Sequence, residues 1–298
     1  MTRSGVLVMD KPQGFTSFDV IGKLRGILKM KKLGHTGTLD PMATGVLPVL
    51  VGTAARACDI LPDETKAYRA GFALGSVTDT QDSSGKVLET HPVHVTEADL
   101  LRVIPAFVGQ IEQIPPMYSA VQIGGKRLYE LAREGKVIER PARSVEVQRI
   151  TLTAYCAETG CGVCEIVCGK GTYVRTILHD IGQALGCGCI MTALTRTAAC
   201  GFTLAEAHSF ADVESAMASD GCADALIIPT DRLFAALPAL HLNETQANKY
   251  RNGVKLDLAR LRGLTDASRW RVYDAAGGFM GLADADRENG VLRVYKNL

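Results

Sequence analysis

Runs with strand character outnumber helical ones along this chain and do not alternate with them regularly. That excludes a regular βαβ repeat and points to the α+β class. Val6 to Met9 predicts a short strand leading into DKPQGFTS, where Pro12 and Gly14 break regular structure and Ser17 can cap the next helix. Val20, Ile21, Leu24, Ile27 and Leu28 recur at helical spacing and leave basic residues on the outer face. Tyr68, Ala70, Phe72 and Leu74 alternate as in a strand. Thr96 with Asp99 opens a helix through Val103, ended by Pro105. Further strands are predicted near Glu146 to Tyr155 and Val163 to Cys168. Thr172 is then expected to cap a helix carrying Val174, Ile177, Leu178, Ile181 and Leu185 on one face, stopped by Gly186. An acidic, Ala-rich stretch around residues 205–235 reads as a helical connection. Beyond it, Trp270 to Tyr273, Phe279 to Ala283 and Val291 to Tyr295 are strand-like runs separated by Gly-rich turns. The expected organisation is a large α+β domain over residues 1–236 and a small β-rich domain over 237–298.

With 47% hydrophobic and 22% charged residues, global disorder is excluded. The opening MTRSGVLVMDKP is too briefly apolar for a signal-peptide core, and no run approaches the ~18 apolar residues of a membrane helix. A cytoplasmic protein is expected. Its nine cysteines are odd in number and scattered, so reduced thiols are expected. The net charge of +1 hides segregation. Residues 1–35 carry seven basic and two acidic side chains, and residues 119–150 seven and four. Residues 202–236 reverse the sign with six acidic side chains against Arg232, and residues 246–298 return to ten basic against six acidic. Such segregation suits a polyanion binder, although lysines and arginines that merely solvate helix faces would look the same.

The aperiodic, Gly- and Thr-rich stretch KKLGHTGTLDPMATG, Lys31 to Gly45, predicts a loop, and the segment GHTGTLDPMATGVLP, Gly34 to Pro48, places His35 and Asp40 five residues apart on it. It is no Walker-type phosphate loop, because it contains no Gly-Lys-Ser/Thr. Read alone, Asp40 before Pro41 is equally an ordinary turn former, His35 a solvated loop histidine, and Tyr68 and Leu194 ordinary core residues.

The segment nevertheless closely resembles the nucleophile loop of pseudouridine synthases, in particular the bacterial TruB-type tRNA pseudouridine-55 synthases. DKPQGFTS at Asp10, KAYRA at Lys66, TDTQDSSG at Thr78 and PPMYSAVQIGGKRLYELAREG at Pro115 resemble that family's segments in its order. So do CGKGTYVRTILHDIG at Cys168 and LTRTAACGF at Leu194. The likeness runs from about residue 5 to about residue 202, and the last 60 or so residues match the family's small PUA-like domain only loosely. It implies a mixed, largely antiparallel central sheet flanked by helices. It also implies a catalytic Asp40, a Tyr68 that stacks on the target uracil and an Arg175 that pairs with the carboxylate. His35, Tyr173 and Leu194 would contact the flipped nucleotide or fill its place, with Lys11 and Asp82 as further binding candidates.

These residue types suit the chemistry. Isomerising uridine breaks the bond from ribose C1′ to uracil N1, turns the base and rejoins it through C5, without change of oxidation state; no cofactor or metal is implied. A carboxylate can act on sugar or base if it stays ionised away from water, and a nearby guanidinium favours that form. Arg175, in the first turn of its helix, opposes the helix dipole and needs an anionic partner. An extruded base regains stacking on an aromatic face. The expected partner is the tRNA T-arm, gripped by the basic N-terminal helix, the 119–143 loop and the C-terminal domain, with no membrane and no obligatory protein partner. The alternatives are the catalytic subunit of a guide-dependent pseudouridylase and a non-catalytic RNA-binding or folding protein. Cys161, Cys164, Cys168, Cys187 and Cys189 include one C-x-x-C, read as buried thiols and not as a zinc site.

Overall fold

The computed structural model describes residues 4–298, so Arg3 of the basic N-terminal stretch lies outside the described residues. A nine-stranded mixed sheet forms the larger part. Its main path runs Gly5–Lys11, Thr44–Val51, Cys189–Ala199, Lys66–Leu74, Cys161–Cys168, Arg143–Cys156, Gly109–Gln113. Among the described residues of this sheet, only the pairing of Thr44–Val51 with Cys189–Ala199 is parallel.

Two of these central strands lack the expected signal. Thr44–Val51 is buried along nearly its whole length, so its residues form a continuous apolar run without alternation. It also contains Pro48, which normally argues against an inner strand. Cys189–Ala199 is diluted by Thr and Arg, and two register irregularities interrupt its pairing with Lys66–Leu74. The predicted loop after residue 31 is accordingly shorter, because Leu33–His35 pairs with Thr44–Val51. Gly45 sits at φ 100°, and a Cβ there would fall 2.3 Å from the Arg196 carbonyl oxygen.

The helices follow the periodic stretches. Ser17–Leu28 buries Val20, Ile21, Leu24 and Leu28 against the sheet. Its cap is Thr16 rather than Ser17: the Thr16 hydroxyl accepts from the Asp19 amide, and the Asp19 carboxylate accepts from the Thr16 amide. Ser17 is thereby free to turn inward. Glu97–Val103 carries the same box on Thr96 and Asp99, and Pro105 lies in the short 3-10 turn directly after it. Val174–Ala184 is not capped by Thr172. Its N-cap is Tyr173, whose amide donates to Gln113 Oε1 at 2.8 Å. The 119–143 segment, expected as a loop, contains a two-stranded turn and the helix Leu128–Arg133. In the acidic connection Phe210–Asp220 is helical and packs Phe210 and Val213 into the core below Ser17–Leu28.

A separate five-stranded sheet begins at Ala239, with Leu240, Tyr250, Trp270, Val272 and Leu292 in its core. Each such buried side chain contributes roughly 1.5–3 kcal/mol relative to exposure. This sheet leans on the larger part through Phe279 and Leu282, which join a cluster with Phe202, Leu233 and Phe234. The Tyr273 hydroxyl donates to Asp231 across the same seam. No helix among the described residues is long and apolar enough to cross a membrane.

Candidate active site

Asp40 lies on the loop between Leu33–His35 and Thr44–Val51, at the edge of an open pocket lined also by Tyr68, Tyr173, Arg175 and Leu194. The loop is fixed from several sides. The Leu39 amide donates to the inward-turned Ser17 hydroxyl at 2.9 Å, the Gly14 amide donates to the Pro41 carbonyl at 2.8 Å, and Arg196 donates to the Gly37 carbonyl at 3.1 Å. A carboxylate on such a loop is held in place before any ligand arrives.

Arg175 reaches Asp40 side-on. Its Nε stands 2.9 Å from Oδ2, and a terminal nitrogen donates to Oδ1 at 3.2 Å. The guanidinium also donates to the carbonyls of Thr80 (2.8 Å) and Tyr118 (2.9 Å). Arg175 is 4% exposed and the Asp40 side chain 35%, so the cation is locked inside while the carboxylate faces the pocket. Asp82 lies behind, 3.8 Å from the same guanidinium, and its Oδ1 accepts from the hydroxyls of Thr80 and Ser84. Asp82 therefore steadies Arg175 and does not line the pocket.

Tyr68 is almost fully buried, and burial pushes its phenol up to about 12, against the opposing pull of Arg196. It stays neutral near pH 7 and offers a flat face. Burial likewise raises the Tyr173 phenol. His35 is half-buried outside the pocket lining, edge-on to the exposed Phe18 at 5.6 Å; burial, then the Arg196 charge, lowers its pKa.

Lys11, expected at the substrate, is instead buried at 0% exposure and does not line the pocket. Its ammonium donates to the carbonyls of Phe15 (2.6 Å), Pro12 (3.0 Å) and Pro41 (3.3 Å), bracing the residue next to Asp40. Burial lowers its pKa to about 8 from 10.5, with Asp40 opposing. Between those two pH values the unfolded chain binds more protons at Lys11 than the folded one, so stability from this residue rises with pH there. Urea unfolding from pH 7 to 10.5 should therefore show wild type gaining on Lys11→Met above about pH 8. A difference that is flat across that range would refute the lowered pKa.

Three residues near the pocket were not singled out from the sequence. Arg196 is fully buried, directly opposite Tyr68 in the strand register, and its Nε donates to the Val46 carbonyl at 2.7 Å. Its signal was a basic residue two positions from Leu194, on the inward parity of a strand. Gln113 accepts from the Tyr173 amide and donates to the Tyr173 carbonyl, pinning the helix start that carries Arg175; nothing in the sequence marks it. Lys66 shares the Tyr68 face of its strand and lines the pocket.

No cysteine lines the pocket, although Cys168 lies near Tyr68 and Lys66. All nine are free, and Cys164, Cys168, Cys187 and Cys189 are buried while Cys161 is exposed. Burial raises the Cys164 thiol to about 12 and Cys168 to about 11. Among the described residues no three His, Cys, Asp or Glu side chains are grouped to hold a metal ion.

Residues 25–174 match the family described as TruB family pseudouridylate synthase (N terminal domain). Residues 175–235 match the tRNA pseudouridylate synthase B C-terminal domain, and residues 238–296 the family Pseudouridine synthase II TruB, C-terminal. The chain is 47% identical to tRNA pseudouridine synthase B of Thiobacillus denitrificans, over 95% of this chain and 92% of that one. It is 44% identical to the protein of the same name from Geobacillus kaustophilus, over 89% and 95%. Among solved structures, one titled as a crystal structure of a Cbf5-Nop10-Gar1 complex superposes with a TM-score of 0.73 at 25% identity, covering 98% of this chain and 84% of that one. A mixed sheet presenting a guanidinium-held carboxylate beside a buried tyrosine defines an enzyme of the pseudouridine synthase class. Within that class, the chain belongs to the TruB family.

Proposed function

We propose that this protein converts the T-loop uridine at nucleotide 55 of tRNA to pseudouridine, acting alone in the cytoplasm. The observation that carries the reading is the side-on pair of Arg175 with Asp40, beside Tyr68 in an open pocket. The uridine leaves its stack, and its uracil finds a replacement face on Tyr68. Asp40, kept ionised by Arg175, acts on sugar or base while the C1′–N1 bond breaks; uracil turns, C5 bonds to C1′, C5 loses its proton and N1 gains one. Tyr173 and Leu194 shape the wall around the base, and His35 fills the place it vacates. Lys11 and Asp82 act from behind, on the loop and on Arg175 respectively. Residues 1–236 form the catalytic domain and residues 237–298 a PUA-like RNA-binding domain.

The test is one unmodified tRNA transcript incubated with the purified protein alone, scoring pseudouridine at every uridine. Formation at the T-loop uridine only is expected. The likeness to the Cbf5 chain raises guide-dependent action as a second reading, and failure on bare tRNA with success once a guide RNA is added would favour it.

The C-terminal domain should contribute grip more than chemistry. Five of its basic residues, Arg251, Arg260, Arg269, Arg293 and Lys296, already have carboxylate partners. Lys249, Lys255 and Arg262 are exposed and have no ion pair among the described residues. Replacing these three by Gln should make the log-log salt dependence of tRNA binding shallower, by up to ~0.7–0.9 for each phosphate that is no longer neutralised. Turnover of saturating tRNA should barely change, because remote contacts act equally in ground and transition states. An unchanged salt slope would show that RNA does not reach these residues.

A further inference from the structure

The charges of the pocket are paired, with one exception. Arg175 is held by Asp40 and Asp82, and the Lys170 ammonium stands 2.6 Å from the Glu64 carboxylate. Lys66 lines the same pocket, half-buried, with its ammonium donating only to the neutral backbone carbonyl of Glu64 at 2.9 Å. No carboxylate lies within ion-pair distance of it among the described residues. Its stem is confined by the nucleophile loop, since a Cβ on Gly37 would come within 3.3 Å of Lys66 Cε. Behind it the fully buried Arg196 donates to the backbone carbonyls of Val46 and Gly37 and adds a second positive charge, with no carboxylate in ion-pair distance among the described residues.

An ammonium with one neutral acceptor in a partly dry pocket leaves two N–H groups poorly served, which is unfavourable until an anion arrives. Uracil and ribose are neutral; the anionic group that an RNA substrate brings to this pocket is the phosphodiester. We infer that Lys66 binds a backbone phosphate adjoining the flipped uridine, in the same pocket as the Asp40–Arg175 pair. Resting on the RNA-substrate reading above, this assigns Lys66 a positioning role: it anchors the sugar-phosphate so that C1′ meets Asp40. Burial lowers the Lys66 pKa in the free protein, as expected of a cation awaiting its counter-charge.

The probe is a T-arm RNA hairpin made with ordinary phosphates, or with a single uncharged methylphosphonate on the 5′ or on the 3′ side of the target uridine. Wild type, Lys66→Met, which keeps the stem, and Lys66→Arg, which keeps the charge, are compared by fluorescence anisotropy across a salt series and by initial rates. Lys66→Met should bind about ten-fold or more weakly, as for loss of one charge-assisted hydrogen bond. Its salt slope should fall by about one phosphate contact, ~0.7–0.9. KM should rise while kcat at saturation changes less, and Lys66→Arg should recover most of the slope. One of the two methylphosphonates should weaken wild type and leave Lys66→Met unaffected. Equal losses from both methylphosphonates in wild type and Lys66→Met would overturn the inference while the RNA reading stands. Absence of pseudouridine from wild type on the all-phosphate hairpin would instead count against that reading. Should Lys66→Met unfold, Lys66→Gln with the same hairpins gives the same comparison.

Discussion

Asp40→Asn protein should form no measurable pseudouridine in single-turnover reactions with enzyme in excess, while its affinity for tRNA stays within a few-fold of wild type. Asn fills the same volume and its carbonyl still accepts from Arg175, so the loop, held independently through Leu39, Pro41 and Gly37, keeps its position. The negative charge alone disappears, and with it the group that acts on the nucleotide. Interactions that differ between ground and transition state govern the chemical step, so the rate collapses where binding does not. Binding should if anything tighten slightly, because an anion facing a polyanion has been removed. Product formation near the wild-type rate would remove Asp40 from the mechanism.

Arg175→Lys should fail nearly as completely, and also lose stability. The guanidinium serves four acceptors in fixed directions: both Asp40 oxygens and the carbonyls of Thr80 and Tyr118. A lysine ammonium has three N–H groups and no planar fork, so at least one buried acceptor goes unserved and Asp40 loses its orientation. Asp82, also buried, loses the guanidinium nitrogen 3.8 Å away, which the shorter lysine does not replace. Breaking a buried pair costs about 3–5 kcal/mol; Asp40 is one-third exposed, which puts the expected loss toward or below the low end. A misplacement on the order of 1 Å at a reacting group can cost ~10²-fold, so at least that drop is expected even for the folded fraction. Urea unfolding and single-turnover rates on the same preparations separate the two effects. Retained activity would show that the side-on geometry is dispensable.

Local signals made much of this legible. Capping residues, helical spacing and the alternation in Lys66–Leu74 are properties of a few neighbouring residues. From them followed the helices Ser17–Leu28, Glu97–Val103 and Val174–Ala184 and the strands Gly5–Lys11, Lys66–Leu74, Arg143–Cys156 and Cys161–Cys168, but not the edge strand Gly109–Gln113 or the short helices Leu128–Arg133 and Glu244–Arg251. Caps were misplaced by one residue: Ser17 offers the same hydroxyl as the true cap Thr16, while at Val174–Ala184 the N-cap Tyr173 makes no side-chain cap hydrogen bond, so the hydroxyl of Thr172 was a false signal that only backbone conformation corrects. The central strands Thr44–Val51 and Cys189–Ala199 escaped because burial on both faces and interrupted pairing erase the period-2 pattern.

At the site, the order of motifs along the chain identified Asp40, Tyr68 and Arg175 as a set, since a loop, a strand and a helix start each carry their own sequence pattern. What those patterns do not contain is depth. Whether a charged side chain faces the pocket or supports it depends on contacts between residues 30 to 159 positions apart, such as Lys11 with Pro41 and Arg196 with Gly37. The sequence by itself therefore determined the family, and singled out the carboxylate proposed to react and the aromatic beside it. Only the tertiary structure decided that Lys11 and Asp82 lie behind the site, that Gln113 and Arg196 hold it, and that Lys66, of the cations lining the pocket, has no carboxylate in ion-pair distance among the described residues. Burial and charge pairing are properties of packed surfaces, and those exist only once the strands have come together.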